Sequence, residues 1–406
     1  MRSWCSNGEG RPAPMIHVMG IAVLLLGGAC SEPPTPAAPD QKPLFVSGRD
    51  GYHTYRIPAL LTTGKGTLLA FCEGRKDSRS DHGDIDLLLR RSTDGGETWS
   101  RQQVVWDDGG NTCGNPCPVV DQETGTIWLL LTHNPGDEGL REILQPGARG
   151  TRTVWVTSSG DDGQTWAPPR EITATTKKPD WDWYATGPGV GIQLRHGPDK
   201  GRLVIPCDYS YAAPSPDEAV PSYGEPPPAF GSHVIYSDDH GKSWHLGGNI
   251  QPHANECQVA ELTDGRVLLN FRSYFGRNLR GRSWSSDGGM TWSEPQDDPQ
   301  LTEPVCQASL LRYSWPDTGG RSRLLFSNPA ATERVRMTVR LSYDEGESWP
   351  VSRALHPGPS AYSSLAVLPD GTVACLYERG DEAAYETVTL ARFSLDWLTR
   401  GKDRGD

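Results

Sequence analysis

The sequence has little that would build helices or cross a membrane. No amphipathic apolar pattern persists for more than two helical turns, and strand-like segments do not alternate with helical ones. The longest apolar run, residues 16–26, is too short to span a bilayer as a helix. These absences argue against a coiled coil, a parallel α/β sheet and a membrane-spanning helix.

Positive charge is also in deficit. The chain has 39 Lys and Arg residues against 51 Asp and Glu residues, and its formal net charge is −12. Nucleic acid and anionic membrane surfaces are therefore unfavourable partners. An anionic substrate would have to be attracted by a local cluster of arginines, because the overall field repels it.

The cysteines do not form the pattern of a metal site. Of nine cysteines, seven follow residue 30, and an odd number leaves at least one thiol without a partner in the chain. Cys113 and Cys117 are close enough in sequence to form a disulfide in an exported protein. No second Cys/His pair lies at zinc spacing, so we expect no metal.

Residues 1–30 have the pattern of a signal peptide. Arg2 and Arg11 precede the apolar run of residues 16–26, which small residues follow. If Met15 is the true start, the basic segment is lost. We expect the protein to be exported, to the periplasm, to the medium or to a membrane surface.

The end of this leader is similar to a bacterial lipoprotein junction. Cys30 follows a small residue and precedes a Pro/Ala-rich tether, residues 31–43. Gly27 stands where such junctions usually have Leu. A lipid anchor through Cys30 is therefore one form that export would take.

Turn-forming residues are abundant, with 46 Gly and 34 Pro. Short β-runs separated by turns fill the chain, and two pairs of them are predicted to form hairpins around Asp264-Gly265 and Asp370-Gly371. Two longer polar insertions, residues 136–150 and 212–229, are predicted to be surface loops. Strands at this density favour a β-propeller or a β-sandwich.

One eight-residue pattern, Ser-x-Asp-x-Gly-x-Thr/Ser-Trp, occurs five times. The copies occupy residues 92–99, 159–166, 237–244, 285–292 and 342–349. The Asp accepts hydrogen bonds from nearby N–H groups, the Gly takes a positive φ, and the Trp provides an apolar anchor. The intervals are irregular, but each can hold roughly one four-stranded blade of 40–50 residues.

These repeats resemble the Asp-boxes of the sialidases (neuraminidases). The resemblance implies an all-β fold, a six-bladed β-propeller with five Asp-box turns, over residues 44–400, followed by a polar tail at 401–406. In that family the boxes are structural turns away from the site. The likeness of the boxes alone therefore implies the fold and not the chemistry.

Further motifs resemble the family's anion-binding arginines. Tyr55-Arg56-Ile57-Pro58 is similar to the first-strand motif that supplies one arginine. By the same resemblance Arg272 is the second and Arg334 the third, with Arg336 as a neighbouring alternative. Arginine suits this role because its planar fork pairs bidentately with a carboxylate. Two more residues match supporting positions, Glu378 as the brace of the first arginine and Arg75 near the anion-binding floor.

The resemblance also implies a tyrosine nucleophile, Tyr362, with Glu256 as its base. A neutral phenol avoids repulsion from the substrate's carboxylate, but its pKa near 10 makes a base necessary. The general acid is identified as Asp81, with Asp77 and Asp84 as nearby alternatives.

The sequence thus predicts an exo-α-sialidase that removes terminal α-linked sialic acids with retention, as a monomer, without metal or organic cofactor. Its partners would be sialylated glycans, glycoproteins or glycolipids. Two alternatives are a trans-sialidase, which uses the same residues, and a non-catalytic sialic-acid-binding propeller, which would lack part of the catalytic set.

Overall fold

Strands make up nearly all of the regular structure. The computed structural model describes residue 8, residues 10–15 and residues 37–405 except 146–147, 224 and 319. The chain divides into two units, residues 1–34 and 35–406. The predicted apolar run of the leader, Cys30 and most of the tether lie outside the described residues.

The described residues contain 24 strands. In chain order they are β1 Asp40–Val46, β2 Thr54–Thr62, β3 Leu68–Arg75, β4 Ile85–Ser92, β5 Gln103–Trp106, β6 Thr112–Val120, β7 Ile127–Asn134, β8 Thr153–Ser159, β9 Arg170–Glu171, β10 Trp181–Thr186, β11 Ile192–Gln193, β12 Leu203–Ala212, β13 Pro228–Ser237, β14 His245–Ile250, β15 Ala254–Glu261, β16 Val267–Ser273, β17 Leu279–Ser285, β18 Gln296–Thr302, β19 Ser309–Ser314, β20 Arg323–Pro329, β21 Val335–Ser342, β22 Val351–Val367, β23 Val373–Arg379 and β24 Thr387–Phe393.

Helices are few and short in the described part of the chain. They are α1 Leu140–Ile143, α2 Thr173–Thr176 and α3 Leu395–Thr399, with 3₁₀ turns at Pro221–Tyr223 and Pro316–Thr318. The prediction of a chain built from strands is confirmed. None of the described helices has the length and apolar character needed to cross a membrane.

The strands pair into four sheets, and the pairing is almost wholly antiparallel. Their orders are β2-β3-β4-β6-β7-β8-β9 with β5 on β4; β10-β12-β13-β14 with β11 on β12; β15-β16-β17-β18; and β1-β24-β23-β22-β21-β20-β19. A single parallel contact, Ile85 with Thr112, joins β4 to β6. Sequence neighbours pair because short turns return the chain directly beside itself.

The five Asp-boxes form one repeated turn. In every copy the Ser Oγ donates to the Asp carboxylate at 2.7–2.9 Å and accepts from the Gly N–H at 2.8–2.9 Å. The Thr or Ser backbone N–H donates to the same Asp at 2.8–2.9 Å. The Gly has φ between 77° and 96°, and the residue before it has φ between 61° and 69°. Two successive left-handed residues explain why Gly is fixed at the second position.

Each box also packs against a different sheet segment. The glycines face Leu390, Leu69, Trp128, Val234 and Leu268 in chain order. The box tryptophans join apolar clusters in the same regions. The box therefore joins a strand end to neighbouring strands, which is a structural task.

Both ends of the fold extend beyond the predicted limits. β1 begins at Asp40, inside the predicted tether of residues 31–43, and pairs with β24. The predicted polar tail contains Asp403, which is 7% exposed and accepts from Arg323 at 2.7 and 2.8 Å. Residues 40–43 and 403 thus belong to the fold, because backbone pairing and a buried ion pair hold them.

The suggested disulfide is not formed. All seven cysteines after residue 30 are free and buried, and Cys113 and Cys117 both lie in β6. Backbone extension along β6, interrupted by the register shift between Gly114 and Cys117, separates the two residues, whereas a disulfide needs Cα atoms within about 7 Å of each other.

Candidate active site

Seven of the eight predicted site residues line one cavity of about 740 Å³. They are Arg56, Arg75, Asp81, Glu256, Arg272, Arg334 and Tyr362. Glu378 is fully buried and contacts Arg56. Residues up to 322 positions apart in sequence therefore meet at one place. No residue of the five boxes lies among the described residues of this lining.

Bulges near the strand ends set the direction of several of these side chains. The register of β2 shifts between Arg56 and Ala59, where Ile57 has φ of 59°. Similar shifts lie between Ala254 and Cys257 in β15 and between Ser360 and Ser363 in β22. A bulge turns a side chain away from strict alternation. The site residues Arg56, Glu256 and Tyr362 are located at these bulges.

Glu378 is the brace of the first arginine. Its Oε1 accepts from Arg56 Nε at 3.1 Å and from the Ile57 N–H at 2.9 Å. Its Oε2 accepts from Arg56 Nη2 at 3.3 Å and from the Tyr362 N–H at 3.0 Å. One carboxylate thus fixes the guanidinium and both strands, β2 and β22.

The other two arginines are held differently. Arg272 donates to Glu256 at 2.9 Å, whereas Arg334 donates to the hydroxyl of Tyr385 at 2.7 Å. Arg336, the alternative to Arg334, does not line the cavity, and its side chain donates to the Ala330 carbonyl. Three guanidiniums around one cavity would repel each other, so an anion entering between them is strongly favoured.

Tyr362 and Glu256 form the closest pair in the cavity. The phenol donates to Glu256 Oε1 at 2.5 Å, and Arg272 Nη1 lies 3.4 Å from the same phenol oxygen. Burial, followed by the charge of Glu256, raises the pKa of Tyr362 well above 10, although the surrounding arginines oppose the shift. The phenol is therefore neutral at pH 7 and has a carboxylate in place to take its proton.

Asp81 lies at the exposed mouth of the cavity. Its side chain is 66% exposed, 2.7 Å from Arg75 and 3.4 Å from Arg56. Desolvation acts to raise the pKa of Asp81, but the charges of Arg75 and Arg56 outweigh it and lower the pKa below its usual range. Neither alternative acid, Asp77 or Asp84, lines the cavity.

Arg75 is positioned by Glu73. The two side chains form a buried pair with nitrogen–oxygen distances of 2.6 and 3.0 Å. Glu73 also accepts from the Asn115 N–H at 2.9 Å, which ties β3 to β6. Arg75 is thereby held at the cavity floor with Asp81 in front of it.

Sequence reasoning missed part of the cavity wall. The insertion at residues 136–150 contributes Leu140, Arg141 and Glu142, and the insertion at 212–229 contributes Ser222 and Tyr223. The prediction of surface loops did not indicate that either insertion reaches the cavity. No sequence pattern around Tyr223, which a proline-rich segment follows, indicates a role in the cavity. Its partner Arg272 lies 49 residues away in sequence.

Buried polar residues also line the wall beyond the predicted set. Asp208 is 2% exposed, accepts from Asn255 at 2.8 Å, and has a second oxygen without a partner in the described residues. Burial and the charge of Glu256 raise the pKa of Asp208 well above its usual range, against the opposing charges of Arg272 and Arg152. Arg152 stacks over Trp183, with the guanidinium carbon 4.0 Å from the ring centroid.

One group of carboxylates has the composition of a cation site. The ligand oxygens of Asp84, Asp86 and Asp107 lie within 4.8 Å of one another. Lys76 Nζ is 2.8 Å from Asp84, 3.3 Å from Asp86 and 3.7 Å from Asp107. The ammonium already supplies the counter-charge, so this group does not fit a metal.

Comparison with known proteins gives a consistent family. The BNR repeat-like domain matches residues 66–375. A sialidase from Micromonospora viridifaciens is 39% identical over 383 residues, which cover 89% of this chain and 56% of that protein. Sialidase-2 from Cricetulus griseus is 32% identical over 371 residues, which cover 85% of this chain and 93% of that protein.

A solved structure, the Hadza microbial sialidase Hz136, is similar in both fold and sequence. The TM-score is 0.76 and the identity 32%, over 88% of this chain and 69% of that one. The chain thus spans little more than half of the Micromonospora relative and most of the other two proteins. On these matches, the chain belongs to the sialidase family that carries BNR repeats.

Proposed function

We propose that the protein is an exo-α-sialidase that hydrolyses terminal α-linked sialic acids of glycoconjugates. The observation that carries this proposal is the 2.5 Å hydrogen bond from Tyr362 to Glu256 in a cavity lined by Arg56, Arg272 and Arg334. An arginine cluster selects an anionic sugar, and a paired phenol and carboxylate supply a nucleophile and its base.

The substrate carboxylate would lie between the three arginines. Arg56 and Arg272 are 5% and 8% exposed, so their charges act in a largely dry environment where ion pairing is strong. Their partners Glu378 and Glu256 hold the guanidiniums in place before substrate arrives. Preorganisation of this kind reduces the entropy lost on binding.

The covalent step would use the Tyr362–Glu256 pair. As the phenol oxygen bonds to the anomeric carbon, its proton passes to Glu256 Oε1 and the bond to the leaving oxygen breaks. Asp81 gives its proton to that leaving oxygen. Water then attacks the same carbon, the bond from that carbon to the Tyr362 oxygen breaks, Asp81 takes a proton from the water, and Glu256 returns its proton to the phenol oxygen. Two displacements give net retention.

Asp81 must carry a proton to act as the acid. In the free cavity desolvation acts to raise the pKa of Asp81, but the charges of Arg75 and Arg56 outweigh it and keep the pKa low. A bound carboxylate would neutralise part of the charge of Arg56 and raise the pKa of Asp81. Substrate binding would thus prepare the acid for the reaction.

We also propose the six-bladed propeller as the finer description of the fold. The strands fall in order into six antiparallel groups: β2–β5, β6–β9, β10–β14, β15–β18, β19 to the first half of β22, and the second half of β22 to β24 with β1. The pairing of β1 with β24 would close the ring by joining the chain's start to its last group.

Export, a lipid anchor at Cys30 and a monomeric state are part of the same proposal. Export and the anchor rest on the leader pattern of residues 1–30, and the monomeric state stays a prediction.

Turnover of a fluorogenic aryl sialoside tests the function directly. We expect release of free sialic acid, with inhibition by a planar unsaturated analogue of the sugar. Lactose added to the reaction separates hydrolysis from transfer, because a transferase would form sialyllactose. Binding of the analogue without turnover would instead support a non-catalytic binding protein.

A further inference from the structure

A chain of hydrogen bonds runs from Arg272 to a buried carboxyl on another sheet. Arg272 Nη2 donates to the hydroxyl of Tyr223 at 2.8 Å, which lies 2.6 Å from the hydroxyl of Tyr274. Tyr274 contacts Asn255 Oδ1 at 3.4 Å, and Asn255 Nδ2 donates to Asp208 at 2.8 Å. This chain of hydrogen bonds thus starts at the guanidinium of Arg272 and ends at the carboxyl group of Asp208.

The donors in this chain point one way. A guanidinium only donates, so Tyr223 accepts from Arg272 and has its own proton for Tyr274. Tyr274 in turn donates to the Asn255 carbonyl, which leaves the Asn255 amide nitrogen to donate to Asp208. Each tyrosine hydroxyl therefore accepts once and donates once, while the second oxygen of Asp208 has no partner in the described residues.

We propose that Tyr223 is a positioning residue for Arg272 and that the insertion between β12 and β13 provides it for this purpose. The inference deepens the proposed function and rests on it, because Arg272 is one of the three carboxylate-binding arginines. The hydrogen bonds continue from Tyr223 through Tyr274 and Asn255 to Asp208.

The need for this support follows from the contacts of Arg272. Its Nη1 lies against Glu256 and the Tyr362 phenol. A guanidinium held at this nitrogen alone can still pivot about that contact. The hydrogen bond of Nη2 with Tyr223 fixes a second nitrogen, so it keeps the guanidinium oriented toward the substrate carboxylate in the ground state and the transition state alike.

The insertion is anchored without the Tyr223 hydroxyl. The Val220 N–H donates to the Pro228 carbonyl at 2.8 Å, and Tyr211 donates to Glu218 at 3.0 Å. The ring of Tyr223 packs on Phe230 with 5.0 Å between centroids. Removal of the hydroxyl alone should therefore leave the loop in place.

Tyr223→Phe is the test, with Tyr211→Phe as the matched control. Tyr211 ties the same insertion but does not line the cavity. We expect Tyr223→Phe to raise KM for the aryl sialoside and Ki for the planar analogue by roughly 3- to 10-fold, the effect of one net hydrogen bond. The kcat should change by less than about 3-fold, since Arg272 holds ground state and transition state alike. Tyr211→Phe should leave both constants unchanged.

A second variant makes the result specific to the chain of hydrogen bonds. Tyr274→Phe should raise Ki for the planar analogue to a similar extent. The Ki of the double variant should not exceed that of either single variant, because the effects of coupled groups are not additive. Unchanged Ki in Tyr223→Phe, additive effects in the double variant, or an equal effect of Tyr211→Phe would each overturn the inference. A wild-type protein that neither turns over sialoside nor binds the analogue would instead overturn the proposed function.

Discussion

Replacement of Glu378 by Gln tests whether one buried carboxylate joins the arginine clamp, formed by Arg56, Arg272 and Arg334, to β22, the strand that carries Tyr362. Glu378 is 0% exposed and accepts four hydrogen bonds, two at each oxygen. A glutamine keeps the shape but presents an NH₂ group to two of these donors and leaves the guanidinium of Arg56 with only the exposed Asp81, 3.4 Å away, as a counter-charge. Loss of one partner of a buried pair costs about 3–5 kcal/mol.

This cost converts into a measurable shift of melting temperature. The entropy of unfolding is about 2.1 cal/mol/K per residue, or roughly 0.8 kcal/mol/K for about 365 described residues. We therefore expect Glu378→Gln to lower Tm by about 4–6 °C. The kcat/KM should also fall, because Arg56 and the Tyr362 backbone lose their common anchor.

Differential scanning calorimetry and sialoside kinetics measure both effects. Glu347→Gln is the control, since its side chain is 59% exposed and lies 3.6 Å from Arg282. Exposed pairs of this kind contribute about 0–1 kcal/mol, so the control Tm should move by about 1 °C or less. A Tm of Glu378→Gln within 1 °C of wild type would refute the role of Glu378 as a brace.

Three further predictions concern the clamp, the boxes and the acid. Arg272→Lys should keep Tm but lower kcat/KM on the order of 10²-fold, because one ammonium cannot replace the two nitrogens that contact Glu256 and Tyr223; equal kinetics would contradict the clamp. Hydrogen bonds, first that of the Thr165 side chain, lower the pKa of Asp161 from 3.8 to about 2, so its stabilisation is present above pH 4 and lost as pH falls toward 2. Asp161→Ala should lower Tm at pH 7, and between pH 4 and 2 its Tm should fall less than that of wild type. Its kcat should be unchanged. A large loss of kcat with unchanged Tm would show that the box is not only structural. Asp81→Asn should impair hydrolysis of sialyllactose far more than that of an aryl sialoside, whose leaving group needs no proton; equal losses would argue against the acid role.

Much of the fold followed from local patterns in the sequence. The five boxes and the hairpins at Asp264-Gly265 and Asp370-Gly371 all lie where turn chemistry predicts them. Such features depend on neighbours a few residues apart. The first and last residues of the fold were harder to predict from the sequence. Pairing with β24 holds β1 in place, and a contact with Arg323 holds Asp403, and both partners lie far away in sequence.

The candidate site was accessible only through resemblance. Alternation along a strand does not indicate that Arg56, Glu256 and Tyr362 point into one cavity, since bulges in three separate strands aim them. Family motifs carried that information. Tyr223, Tyr274 and Asp208 have no such motif, and their roles depend on contacts between segments that the sequence does not relate.

Tyr362→Phe tests the central claim most directly. The ring and the arginine clamp should survive, so the planar analogue should bind with nearly unchanged affinity. Turnover should fall by several kcal/mol of barrier, as expected when a group that acts in the transition state is lost. Proton NMR at early times should show α-sialic acid as the first product of wild type, and any residual hydrolysis by the variant should shift toward the β-anomer through direct attack by water. Near-normal turnover with α-product from Tyr362→Phe would contradict the account.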